Sequence, residues 1–465
     1  MYSEVGRIED VSVTRTLLHA FQIHREAIQS LSSLRESPRP IRRWSAFVLA
    51  ILLLSATAQP ARAYSVMSHQ AIIDTAWEGS IKPALHARFP DATNEELHKS
   101  KSYAYGGAII QDLGYYPYGN PFFSDLTHYV RSGDFVLALM RDAQDVNEYA
   151  FALGAMAHYA ADNNGHREGT NRAVPILYPK LRKKFGESVS YEDDKLAHVK
   201  TEFGFDVLEV AKERYAPDSY HDFIGFNVAS RVLDQAFQET YGLDLKKVLA
   251  NQDRALNSYR YAVSKLLPKA TRIAWNLKKD EIQKDTPGVT KQKFLYNLKR
   301  SSFEKEWGKD YKQPTFGEKC LGFFYTILPK IGPLKVLQFK TPTPETEHMF
   351  EASFNATLDQ YRELLKQEQT TRKPAVENDN FDLGAVSAPG KYALSDKTHA
   401  KLLDELAEQK FVGTPPEMRA ELLEFFGVAD TPFVMRKDKR VWGRLQAELE
   451  QLKAAPIEQQ SAATH

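Results

Sequence analysis

Between residues 64 and about 270, apolar positions recur at spacings of three and four, as in 146–161 and 199–211. Helices repeat every 3.6 residues, so this spacing predicts a succession of amphipathic helices. Asn-Gly and Asp-Gly hairpin signals are scarce, and the fold class expected is all-α. A lysine-rich polar stretch follows at 278–312, and then an apolar piece with basic punctuation, CLGFFYTILPKIGPLKVLQFK. Thr343 as N-cap and Pro344 at the first helical position open a further helix, with Phe350, Phe354, Leu358, Tyr361 and Leu365 along one face. Residues 367–392 read as a linker. Beyond it, Ser395 is expected to cap one helix, and Thr414 with Glu417 stand in capping-box register at the start of another that Gly427 ends.

These elements divide the chain into a leader (1–63), a helical main domain (64–275), a lysine-rich helical extension (276–366), the linker (367–392), a small helical C-terminal module (393–453) and a disordered tail (454–465). No internal repeat is visible.

The leader has its own pattern. Basic RPIRRW precedes an apolar run, 45–58, which is followed by QPARA and Tyr64. That run is shorter than the ~20 residues that span a bilayer. Ala61 and Ala63 fit the small-x-small rule for cleavage, so Tyr64 is the expected mature N-terminus of a secreted or periplasmic protein. An uncleaved anchor is the alternative, and the region before Arg39 is long for a signal peptide. Composition adds little beyond a globular chain: 465 residues, 43% hydrophobic, with 61 basic against 60 acidic side chains, leave no general basic field for nucleic acid. Cys320 is the single cysteine, so no internal disulfide can hold the fold.

Candidate chemistry lies in the helical part. GAMAHYAADNNGH sets His158, Asp162 and His166 four residues apart. Residues four apart on a helix drift by only about 40°, so the three fan over one side. A buried carboxylate needs a cation, and neighbouring imidazoles favour a metal ion over a salt bridge; helix-surface polar residues are the plainer alternative. Further ligand types accumulate: His128 in LTHYV, Asp112 in AIIQDLG, His198 and Glu202 in LAHVKTEFG, and His69 in SVMSHQAII. Together they exceed what one catalytic zinc needs, which points to several metals. Asn163, Asn164 and Arg167 could face a phosphate, and YYPYGNPFF could line a lipid or base pocket or form a packed loop.

This ordered series, from Tyr64 to about Leu208, resembles the zinc-dependent phospholipase C family, whose wider group includes glycosylphosphatidylinositol-specific phospholipase D and the single-strand-specific fungal nucleases. The resemblance implies an all-α catalytic domain holding three Zn²⁺ ions. It places the first on Asp112, His128, His158 and Asp162, and the second on His166, His198 and Glu202. The third would use His69, a shared Asp162, and the free amino group and carbonyl of Tyr64, which would make cleavage of the leader a condition of a complete site. Family members usually begin with tryptophan, and the short spacing from Asp162 to His166 looks like the phospholipase D branch. Zinc neutralises a phosphodiester and lowers the pKa of a bound water to about 7, and Asp112 is the candidate to orient or deprotonate that water. The activity implied is a zinc-dependent phosphodiester hydrolase acting on phospholipid at a membrane surface, which the apolar, lysine-punctuated segment 316–340 could meet if it does not pack on the catalytic domain. A single-strand nuclease stacking bases on the aromatics at 115–123, and a non-catalytic zinc-containing binding protein, are the alternatives. No protein partner is inferred.

Overall fold

The computed structural model describes residues 66–116, 118–211, 226–249, 251–261, 280, 283–284, 338–428 and 431–456. The leader, Tyr64, Cys320, nearly all of 278–337 and the tail from 457 lie outside the described residues, so the expectations placed on them have no structural counterpart here.

The expected all-α class is the observed one. In chain order the helices of the first part are α1 (Val66–Ala76), α2 (Lys82–Arg88), α3 (Asn94–Ile110), α4 (Pro121–Tyr129), α5 (Ser132–Asp142), α6 (Val146–Asn164), α7 (Asn171–Leu177), α8 (Pro179–Phe185) and α9 (Lys195–Ala211). After them come α10 (Ser230–Tyr241), α11 (Leu245–Val248), α12 (Gln252–Tyr261) and the long α13 (Pro344–Thr371). A two-residue antiparallel pair, β1 (Asp379–Asn380) and β2 (Ala385–Val386), precedes α14 (Ala393–Glu408), α15 (Pro416–Gly427) and α16 (Lys439–Ala454).

Local chemistry starts the helices that matter for the site. Thr93 and Glu96 form a capping box at α3, each side chain satisfying the other's backbone N–H. Asn120 accepts from the Phe122 N–H, with Pro121 at the first position of α4. Asp145 accepts from the Asn147 and Glu148 N–H groups and opens α6.

α6 is buried on every side, as its Ala-rich sequence allows. It crosses α3 at very close range. A Cβ on Gly154 would lie 2.1 Å from the Ala104 carbonyl oxygen, and one on Gly107 would lie 1.9 Å from that of Phe151. Only hydrogen at both positions permits this approach. α13 packs along α6, burying Phe350, Leu358, Tyr361 and Leu365 while Phe354 stays partly exposed, and the Tyr361 hydroxyl donates to the Leu153 carbonyl at 2.9 Å. The Thr343 cap forms as its spacing predicts, in a capping box with Thr346.

Three local expectations fail. Ser395 lies inside α14 instead of capping it: the helix starts at Ala393, and Glu192, from a distant segment, accepts the Leu394 N–H at 3.0 Å, so a tertiary partner does the work of a local cap. The Thr414–Glu417 box is off register. A residue preceding proline is kept out of the helical region; Pro415 precedes Pro416 and sits extended at φ −60°, ψ 144°, so α15 begins at Pro416 and no side chain caps it. The stretch expected as a linker is also packed: α13 runs to Thr371, Phe381, Asn380 and Asp382 are buried, and the Phe381 N–H donates to the His128 carbonyl at 3.1 Å.

Candidate metal centre

Four helices, the short segment after α3 and one π-helical turn supply the predicted side chains. His69 comes from α1, His128 from the last turn of α4, His158 and Asp162 from α6, and His198 and Glu202 from α9; Asp112 follows directly on α3. After Asn164 the chain widens into a π-helical turn, Gly165–Thr170, that carries His166. All eight are at most 3% exposed.

Asp162 is the hub. Its carboxylate faces three imidazole Nε2 atoms, those of His158 at 3.2 Å, His128 at 3.3 Å and His69 at 3.4 Å. Asp112 meets His128 Nε2 at 3.4 Å, and the His128 and His158 Nε2 atoms stand 3.5 Å apart. His69 stacks on His158 with ring centroids 4.4 Å apart. A second cluster joins Glu202 to His198 Nε2 at 2.9 Å and to His166 Nε2 at 3.4 Å. Ligand atoms therefore converge in three sets: His69, His158 and Asp162; Asp112, His128 and His158; and His166, His198 and Glu202. His158 and Asp162 share a cluster while His166 belongs to the other, so the helix face that the spacing suggested divides between two clusters. Tyr64 is not among the described residues, and its expected ligand atoms are not placed.

Outer hydrogen bonds settle which nitrogen faces inward. His128 Nδ1 lies 2.8 Å from the Ser124 carbonyl oxygen and His158 Nδ1 lies 2.9 Å from that of Ala108. A carbonyl only accepts, so both Nδ1 atoms carry hydrogen and both Nε2 atoms turn toward the carboxylates. Neither oxygen of Asp112, Asp162 or Glu202 forms a hydrogen bond. Each buried, unsatisfied polar atom costs about 1–3 kcal/mol, more where it is charged. Lone pairs and carboxylate oxygens converging on one buried space, with few protons to share, are the donor set a divalent cation satisfies, and imidazole with carboxylate suits zinc. The residues fit the ion.

Electrostatics agree. Burial opposes charge on His128, but Asp112 and Asp162 outweigh it and push its pKa up to about 9. Burial likewise opposes protonation of His166, yet Asp162, Asp382 and Glu202 hold its pKa well above the usual histidine range. At His69, burial and the neighbouring His158 lower the pKa well below that range. Asp162 stays ionised against burial because His158, His166 and His128 surround it, whereas burial raises Asp112.

The other candidates are engaged elsewhere. Asn163 donates to Asp379 at 3.0 Å, Asn164 to the Ala160 carbonyl and Gln360, and Arg167 to the Gly384 carbonyl at 2.9 Å. Of the aromatic run, Tyr115, Phe122 and Phe123 are buried and Tyr118 is exposed beneath the Arg254 guanidinium, so this is mainly a packed loop. Sequence reasoning missed Asp382 and Phe381. Phe381 covers His128 and His158 with ring centroids 5.1 and 6.0 Å away. The only local signal was an acidic and aromatic stretch, NDNFD, within what read as a linker.

Within an all-helical fold, buried histidine and carboxylate side chains thus converge in sets that could hold a metal ion. Residues 68–251 match the family model described as zinc dependent phospholipase C. No curated protein and no solved structure matches the chain.

Proposed function

We propose that this protein is an exported zinc-dependent phosphodiester hydrolase of phospholipase C type, acting on the head-group phosphodiester of phospholipids. The observation that carries the proposal is Asp162, buried and without a hydrogen bond, between the Nε2 atoms of three histidines. His69, Asp112, His128, His158, Asp162, His166, His198 and Glu202 hold up to three zinc ions, with Tyr64 as the expected further ligand after leader cleavage. Bound zinc supplies neutralisation of the phosphodiester charge and lowers the pKa of water to about 7. The chain supplies the rest. Asp112, raised by burial, is the group that orients the attacking water and takes its proton. Ser124 and Ala108 carbonyls fix His128 and His158 in one tautomer. Phe381 and Tyr159 form an apolar wall beside the cluster, which keeps bulk water out and strengthens every charge interaction within it.

Among the described residues no helix is long and apolar enough to cross a membrane. Export rests on the leader sequence and is tested by N-terminal sequencing of secreted material. For the activity, the purified mature chain is assayed on phosphatidylcholine, phosphatidylinositol and single-stranded DNA, with zinc and after chelation. Zinc-dependent release of diacylglycerol supports the proposal. Phosphatidic acid as product would move it to D-type cleavage, DNA hydrolysis alone would make it a nuclease, and a chain that binds no zinc would overturn it.

A further inference from the structure

Asp382 lies 131 residues beyond the last residue of the family match, in a stretch whose composition suggested only a tether. Its Oδ1 accepts from His166 Nδ1 at 2.8 Å, while the other ring nitrogen, Nε2, faces Glu202. The other oxygen, Oδ2, accepts from the Tyr129 hydroxyl at 2.9 Å and from the Tyr392 hydroxyl. The Asp382 backbone N–H donates in turn to Asn380 Oδ1 at 3.0 Å, and the Asn171 side-chain amide donates to the Asp382 carbonyl. Asp382 is 2% exposed, and its pKa lies below the usual carboxylate range despite burial, because His166 and Tyr392 favour the ionised form.

A fully buried carboxylate held by two tyrosines needs a reason to be where it is. An apolar side chain would fill the same space without the desolvation cost of a charge. What the carboxylate does that an apolar group cannot is fix His166. His166 sits on a π-helical turn, where the backbone offers its ring no partner of the kind Ala108 and Ser124 give His158 and His128. Accepting from Nδ1 fixes the hydrogen there, turns Nε2 toward Glu202 and His198, and makes the ring a more basic ligand.

We propose that Asp382 is a positioning residue for the His166–His198–Glu202 metal site, so that the segment around β1 and β2 completes a centre whose ligands all lie within or near the family-matched region. The proposal rests on the zinc reading of that cluster. It assigns the C-terminal part of the chain a share in metal binding: without residues 378–392, His166 would lose its orienting partner while the Asp112–His128–His158 cluster would keep both of its carbonyl partners.

The test uses zinc alone as probe on the full mature chain. Zinc is removed and titrated back into the parent, Asp382→Asn and Asp382→Ala, with binding followed by competition against a chromophoric chelator and the fold by far-ultraviolet circular dichroism. Substitution of an outer carboxylate of this kind weakens metal affinity by about 10–100-fold. Asp382→Ala is expected to weaken one class of site by that factor and leave the others at parental affinity. Asp382→Asn keeps an acceptor oxygen at Nδ1 and loses only the charge, so it should retain part of the affinity. Cobalt substituted for zinc should show altered d–d bands for the affected site alone, a signature that general loosening of the fold would not produce. Should Asp382→Ala fail to fold, Asp382→Asn and Tyr392→Phe decide the matter by the same titration. Parental affinity and parental cobalt spectra in the folded variants would overturn the inference and leave Asp382 a packing residue. A parent chain that takes up no zinc would instead overturn the zinc reading itself, so the two failures are distinct.

Discussion

The close crossing of α3 and α6 makes Gly154→Ala a severe perturbation despite its size. The added Cβ would sit 2.1 Å from the Ala104 carbonyl oxygen and 2.9 Å from both the Ala104 carbonyl carbon and the Ala108 nitrogen. Ordinary contact begins near 3.5 Å, so the helices must part by roughly 1 Å. Overpacking of this kind costs about 1–3 kcal/mol. Alanine returns up to about 1 kcal/mol through its better helix propensity, but the shift also pulls the Ala108 carbonyl away from His158 Nδ1, at a loss of about 1 kcal/mol. The expected net loss is about 2 kcal/mol, accompanied by a fall in zinc content because His158 loses its orienting partner. Gly443 is the internal control. It lies within α16 with nothing within 4 Å of a built Cβ, so Gly443→Ala should stabilise by about 0.5–1 kcal/mol. Urea unfolding followed by circular dichroism, with metal analysis, reads both. If Gly154→Ala matched the parent in stability and zinc content, the reasoning about helix approach and ligand placement would be refuted.

Three further outcomes are expected. Asp162→Asn should lower zinc content by more than His166→Ala, since Asp162 faces three imidazoles and His166 serves one cluster; equal zinc in Asp162→Asn and the parent would remove the bridging role. Zinc binding at pH 7 should release protons, because His128, with its pKa near 9, and His166, well above the ordinary value, are protonated in the metal-free chain and must be neutral to bind; affinity should rise with pH through this range, and calorimetric heats independent of buffer ionisation enthalpy would contradict it. A chain carrying one extra residue before Tyr64 should lose about one zinc per molecule with its helix content intact, because an amide nitrogen replaces the free amine; unchanged stoichiometry would dispose of the N-terminal ligand.

Much of this protein is local and therefore legible in its sequence. Three- and four-residue spacing specified the helices, since a buried stripe follows the 3.6-residue period wherever the helix docks. Thr343 and Pro344 marked the start of α13 because capping involves neighbours only. Ligand types on apolar segments identified the eight side chains that the structure buries together, because charged and imidazole groups are rarely buried without compensation. Helix spacing alone put His158, Asp162 and His166 on one side, whereas the family resemblance divided them. The tertiary structure supplies the physical means: a π-helical turn after Asn164 carries His166 to His198 and Glu202, and no four-residue spacing reveals a widened turn. It also decided the true start of α14, where Glu192 accepts a helix N–H from two hundred residues away. Above all, it decided the placement of 367–392, which reads as a linker because many of its residues suit turns. Turn chemistry is set by each residue and its immediate neighbours, whereas burial of Asp382 against His166, Tyr129 and Tyr392 depends on partners that only the folded chain brings together.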